Sequence, residues 1–171
     1  MTIVDLLALD ARWTRRVRIA ERPGPLRSAA AVLAHSGDSW FWALGLLLLW
    51  GFGGEPWRAW ALRLLGGIAI LAAIVLVIKF AVRRRRPEGE WGAIYRNTDP
   101  HSFPSGHAAR AILLATLVVG WGPAWLAAAL VVWAPLVSLA RVAMGLHYLS
   151  DVVAGGLLGL FVGGIGLLVV A

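Results

Sequence analysis

Cysteine is absent from the 171 residues, and acidic residues number only nine. The first absence excludes disulfides and thiolate chemistry and leaves the compartment open. The second leaves the carboxylates few and scattered, so that no group of them reads as a metal site. Charge of either sign is missing from long stretches. Leu62 to Ile78, LRLLGGIAILAAIVLVI, holds one arginine near one end in seventeen residues, which is a membrane-grade run rather than a soluble core segment. The opening MTIVDLLALD is acidic rather than basic and no small-residue cleavage site follows it, so no signal peptide is read there.

What is present points one way. A chain that is 60% hydrophobic, with 10 tryptophans, 20 glycines and a net charge of +7, is expected to be a single integral-membrane domain over residues 1–171, an all-α polytopic helical bundle. The basic excess fits nucleic acid, anionic lipid or an anionic substrate. Its charges sit in short gaps between apolar segments rather than on a soluble basic face, which argues against nucleic acid and leaves headgroups and phosphate esters. Residues 1–22 place Leu6, Leu7, Leu9, Trp13, Val17 and Ala20 near one side of a helix and Arg12, Arg15, Arg16 and Arg18 on the other, the pattern of an interfacial amphipathic helix. RPGP (Arg22 to Pro25) ends it, and residues 26–171 form the transmembrane bundle.

The run Trp40 to Phe52 is short for a bilayer, so its span is expected to borrow from Leu26 to Ala34 with a kink at Gly37. Further spans are predicted over Trp57 to Val82, Ser105 to Gly120, Ala124 to Ala143 and Tyr148 to Val170. This makes five crossings plus the interfacial helix, with six as the alternative count. Trp50, Trp57 and Trp60 around GFGGEP, and Trp121 and Trp125 around Gly122 and Pro123, mark one membrane face. The glycine pairs at Gly66, Gly155 and Gly163 are read as sites of close helix contact.

With these spans, three polar blocks fall on the opposite face. Lys79 to Pro87 closes one span and carries Lys79 and Arg83 to Arg86. HSFPSGH (His101 to His107) opens the next with Ser105, Gly106 and His107. RVAMGLHYLSD (Arg141 to Asp151) joins the last two and carries Arg141, His147 and Asp151. Guanidinium forks suit phosphate oxygens, and a Ser-Gly turn running into a helix N-terminus adds amide donors for an anion. His147 and Asp151 lie four apart, close enough for the carboxylate to fix the imidazole tautomer, and His107 is placed to protonate a leaving oxygen.

The spacing Lys79-x6-Arg86-Pro87, Pro104-Ser105-Gly106-His107 and Arg141-x5-His147-x3-Asp151 resembles the three-block signature of the type 2 phosphatidic acid phosphatase superfamily. One departure is visible: the third block commonly begins Ser-Arg, and here Ala140 precedes Arg141, which removes one hydroxyl contact to phosphate. The resemblance implies a metal-independent phosphatase without a cofactor. In it His147 attacks phosphorus to form a phosphohistidine, Asp151 orients His147, and His107 protonates the leaving group. Lys79, Arg86, Arg141, Ser105 and Gly106 hold the phosphoryl oxygens. The implied substrate is a lipid phosphate among membrane lipids, with a polyprenyl phosphate or diphosphate placed first and phosphatidate or phosphatidylglycerol phosphate second.

Other polar residues are given structural readings. Arg83, Arg84 and Arg85 point in different directions around a helix end, so that only one or two could face the site, and headgroup anchoring is the preferred reading. His101 is read as a loop residue, and His35 and Asp38 as a cap or kink of the first span. Arg110, one turn after His107, faces either the site or a headgroup. Vanadate-dependent haloperoxidases share the signature but are soluble, against five apolar spans; a protein that only binds anionic lipid through its arginines is the non-enzymatic alternative. The positive-inside rule places the arginine-rich face, with Arg12 to Arg27, in the cytoplasm of a bacterial plasma membrane.

Overall fold

The computed structural model describes residues 2–91 and 99–169. Among them are seven helices: α1 (Ile3–Val17), α2 (Pro25–Ser36), α3 (Ser39–Phe52), α4 (Trp57–Val82), α5 (Gly106–Trp121), α6 (Ala124–Ala143) and α7 (Leu149–Val169). The predicted boundaries of α4 to α7 hold to within a residue. The N-terminal helix expected over residues 1–22 spans only Ile3–Val17, because the backbone leaves helical geometry at Arg18 (φ −74°, ψ 65°), and the lead-in expected over Leu26 to Ala34 is the longer α2. Val170, the expected end of the last span, lies outside the described residues.

Three helices, α4, α6 and α7, are long and apolar enough to cross a bilayer. The pair α2 and α3 is apolar enough only when taken together, as a broken span or a re-entrant loop, and its 50° bend at Gly37 and Asp38 falls at the expected kink. Sixteen-residue α5 rises only ~24 Å. Even so, its start packs on Val75 and its end on Trp60 and Arg63, so it runs most of the depth of α4. By length and composition the described residues therefore hold three spans, or four with the bent pair, and α5 is a shorter apolar helix beside them. On α4 the most apolar window has a mean hydropathy of 2.6 yet is only 28% buried; its unburied apolar side chains call for lipid rather than water.

Helix α5 is buried on nearly every side and packs against α4, α6 and α7. Its contact with α7 is the closest in the bundle because Gly155, Gly159 and Gly163 line one stripe of α7. A Cβ at Gly155 or Gly159 would run into the backbone of Ser105 or Ala109. On α4, the buried stripe Ala61, Leu64, Ile68, Leu71, Val75 and Lys79 follows the helical period and ends in a cation. At the other face Trp57 meets Trp60 edge to face at 5.7 Å, and Arg63 lies 5.6 Å over the Trp121 ring, so both tryptophan clusters share that face.

Helix α1 begins with a capping box: the Thr2 hydroxyl accepts from Asp5 N at 3.2 Å, and Asp5 Oδ2 accepts from Thr2 N at 2.7 Å. It exposes Leu6, Leu7, Leu9 and Trp13 and docks against α6 and α7, beside the three polar blocks.

Candidate active site

The three blocks converge. Helix α4 stops because Arg83 adopts a left-handed conformation (φ 52°). The chain beyond it runs extended, pairing Arg85 with His101 in an isolated antiparallel bridge and Ser102 N with Arg84 O at 2.8 Å. Extended chain alternates sides. Arg84 and Arg86 therefore point inward while Arg83 and Arg85 are exposed. Of Arg83 to Arg85, for which headgroup anchoring was preferred with one or two able to face the site, Arg84 is the one turned inward.

His147 sits in the tight turn between α6 and α7, buried to 1% exposure. That turn is closed by Leu146 N donating to Arg141 O at 3.0 Å, and Gly145 (φ 69°) supplies its left-handed residue. The ring's Nδ1 lies 2.9 Å from the Ser102 carbonyl oxygen. A carbonyl only accepts, so Nδ1 carries the proton and Nε2 carries the lone pair. Arg86 Nη1 donates to Nε2 at 3.1 Å. Burial, then the charges of Arg141, Arg86 and Lys79, hold the imidazole well below its ordinary value, so it rests neutral. The carboxylate of Asp151 is 3.6 Å from Nδ1. Its oxygens are engaged elsewhere, Oδ2 by Tyr148 N at 2.9 Å and Oδ1 by Arg84 at 2.6 Å. The tautomer expected to be set by Asp151 is thus held by a backbone carbonyl, with Asp151 as a nearby negative charge.

His107, in the first turn of α5, donates from Nε2 to Asp38 Oδ1 at 2.7 Å. Asp38 was read as a cap or kink; it does stand at the bend, but its side chain caps no amide. Instead it collects His107, His35 Nδ1 at 3.2 Å and Trp40 Nε1 at 3.3 Å. Arg110 turns to the same bend: its Nε donates to the Gly37 carbonyl at 2.9 Å, and it also bonds Ser39.

The cations close the other end. Lys79 Nζ donates to His101 O at 3.0 Å and pairs with Asp99; Arg86 Nη2 donates to the same Asp99 carboxylate at 2.8 Å. Burial opposes the charge of Asp99, but Lys79 and Arg86 outweigh it and hold this carboxyl below the ordinary range. Asp99 thus seats an anion between two of the expected phosphate-binding cations. Arg141 is buried to 1% exposure, and its charge acts on His147. Ser105 Oγ faces Ala108 N as the α5 N-cap, and the residue is fully buried. Gly106, not Ser105, lines the cavity.

That cavity, about 340 Å³, is walled by Lys79, Asp99, His101, His107, Arg110 and His147 at one end and by Ile68, Leu71, Ala72, Val75 and Leu76 of α4 along its length. Leu76 and Phe80, both on its wall, are more than half exposed, so it opens sideways toward lipid. Three imidazoles, two buried cations and an apolar groove suit an anionic headgroup whose tail lies along α4. Among the described residues no three His, Asp or Glu side chains gather as a metal site.

The family model for the PAP2 superfamily matches residues 60–171. Decaprenylphosphoryl-5-phosphoribose phosphatase of Mycobacterium tuberculosis (strain ATCC 25618 / H37Rv) is 38% identical over 149 residues, covering 86% of this chain and 81% of that protein. Undecaprenyl-diphosphatase of Sulfolobus acidocaldarius is 37% identical over 98 residues, 54% of this chain and 47% of that one. Of solved structures, a transmembrane PAP2-type phosphatidylglycerolphosphate phosphatase from Bacillus subtilis aligns with a TM-score of 0.76 at 23% identity, over 95% of this chain and 84% of that one, a likeness of fold. LpxE of Aquifex aeolicus aligns with a TM-score of 0.73 at 26% identity, over 93% and 94%.

Proposed function

Since this chain belongs to the PAP2 superfamily, we propose that it is a membrane lipid phosphatase that hydrolyses the phosphate or diphosphate monoester of a polyprenyl-type lipid through a phosphohistidine. One observation carries the reading: His107 and His147 open into a single cavity that is cationic at the headgroup end and apolar along α4. Ile68 to Lys79 covers roughly 16 Å of helix, so the groove grips the first part of a tail and leaves the rest in the bilayer. The curated relatives with polyprenyl substrates support that tail.

The chemistry follows from the tautomer. With Nδ1 protonated against Ser102 O, the Nε2 lone pair attacks phosphorus and a P–N bond forms as the bond to the leaving oxygen breaks. His107, in its cationic form, keeps its Nε2 proton on Asp38 and gives its Nδ1 proton to that oxygen. Water then returns a proton to His107 while its oxygen attacks phosphorus, the P–N bond breaks, and phosphate leaves with His147 restored. Arg86 yields its contact with Nε2 to a phosphoryl oxygen, and Lys79 and Arg141 carry the remaining charge. These three cations supply the charge stabilisation that a metal ion would otherwise bring, so the reaction is expected to proceed without one. The site face is assigned to the cytoplasm of a bacterial plasma membrane on the positive-inside rule.

The test is phosphate release from a panel of polyprenyl phosphates and diphosphates, phosphatidate, phosphatidylglycerol phosphate and soluble sugar phosphates, with and without chelator. Polyprenyl substrates should lead, His147→Ala should abolish turnover in folded, membrane-inserted protein, and chelator should leave the rate unchanged. Wild-type turnover by His147→Ala would refute His147 as the nucleophile, and no turnover of any lipid phosphate by the wild-type chain would leave anionic-lipid binding as the remaining role.

A further inference from the structure

Helix α1 lies outside the residues matched by the family model, yet its polar side enters the site. Asp10 Oδ2 accepts from Arg84 Nη2 at 2.7 Å, and Arg84 Nη1 donates to Asp151 Oδ1 at 2.6 Å. The Arg84 guanidinium is also stacked 4.0 Å over the Tyr148 ring. The same α1 face holds the start of α7. Asp10 Oδ1 accepts from Ser150 N at 3.1 Å, and Thr14 Oγ1 accepts from Leu149 N at 3.1 Å. Two amides that a helix start leaves without partners within its own helix are thus satisfied from a different helix. Thr14 is 1% exposed and Asp151 fully buried.

A buried carboxylate needs a cation, and a buried cation shared between two carboxylates is fixed by both. Without Asp10, Arg84 keeps one carboxylate and loses the second anchor that aims it, and the α7 turn carrying Asp151 loses an amide partner. We infer that Asp10 is a positioning residue: through Arg84 it holds Asp151 and the first turn of α7 at the distance from His147 that catalysis requires, so the interfacial helix is part of the active site. The inference rests on the phosphatase reading above.

The experiment measures kcat and KM on a polyprenyl phosphate for Asp10→Asn, Asp10→Glu, Arg84→Gln, the Asp10→Asn/Arg84→Gln pair and Thr14→Val, all in the full chain. Asp10→Asn is expected to lower kcat roughly ten- to a hundredfold, as is usual for groups that orient a catalytic ligand from behind, with KM little changed. Asp10→Glu should recover much of the loss. The pair should be no slower than Arg84→Gln alone, because both changes break one linkage. Thr14→Val, which removes an α7 amide partner but leaves the Arg84 contact, should stay close to wild type. Wild-type kcat in Asp10→Asn, or an equal loss in Thr14→Val, overturns the inference while the phosphatase reading stands. If the wild-type chain itself turns over no lipid phosphate, that reading fails instead. Hydrogen exchange at residues 148–152 of Asp10→Asn then decides the positioning claim: faster exchange than wild type upholds it and unchanged exchange overturns it.

Discussion

Replacing Asp38 by asparagine keeps the shape of the side chain and removes the charge that faces His107. The contact is short, 2.7 Å, and both side chains are less than one-fifth exposed, so solvent does little to weaken it. A hydrogen bond to a charged group contributes about 1.5–3 kcal/mol. As His107 becomes more positive on taking a proton from water, losing that contribution lowers kcat by roughly 10- to 150-fold where this step limits the rate. The bend itself is held independently by Arg110 on the Gly37 carbonyl, so Asp38→Asn should fold and insert normally. The assay is phosphate release from a lipid phosphate in mixed micelles, with kcat and KM separated. The loss should fall on kcat, and in a His107→Ala background Asp38→Asn should add nothing. His35→Gln, which touches the other oxygen of Asp38 from an exposed position, should leave the rate unchanged. A wild-type kcat in Asp38→Asn, or full additivity with His107→Ala, would refute the assignment of His107 as the proton-transfer group oriented by Asp38.

Asp99→Asn empties an anion from between Lys79 and Arg86; with a side chain 43% exposed the pair is worth at most about 1 kcal/mol, so inorganic phosphate should inhibit the variant up to about fivefold more tightly. Because Asp99 is held below the usual carboxyl range, it is charged and competing at both pH 6 and pH 8, and the gain should be the same at each; its ion pairs are lost only as pH falls through the folded value. Gly159→Leu forces α5 and α7 apart and should cost at least the ~1–3 kcal/mol of overpacking, read as a lower Tm in detergent, while Gly164→Leu, with nothing within 4 Å, should be neutral. A single cysteine at Glu88 in this cysteine-free chain should resist an impermeant thiol reagent in intact cells; ready labelling would contradict a cytoplasmic site.

Much of the architecture was readable because it follows from periodicity. Hydrophobic runs set the spans, tryptophans and prolines set their ends, and alternation of crossings then forces Lys79, His107 and His147 to one face whatever the side chains do. What was not readable depends on contacts without a sequence signature. The partner of His147 Nδ1 is the Ser102 backbone carbonyl, and any residue there would present one. Asp38 and His107 come from different spans, and nothing in either local sequence announces the pairing. Arg84 was indistinguishable within a run of four arginines until the left-handed turn at Arg83 made the following chain extended and sorted them by alternation. Asp10 has no place in the amphipathic pattern of α1 or in the three blocks, and its role depends on how α1 docks.

The central claim, that His147 is the nucleophile and becomes phosphorylated, is tested most directly by rapid acid-free quenching of the enzyme with ³²P-labelled lipid phosphate. The account predicts a transient protein-bound label that is stable in alkali, lost in acid and mapped to His147, absent from His147→Ala, and accumulating in His107→Ala if His107 is also needed to activate water. An acid-stable label on another residue, or full turnover by His147→Ala with no label, would contradict it.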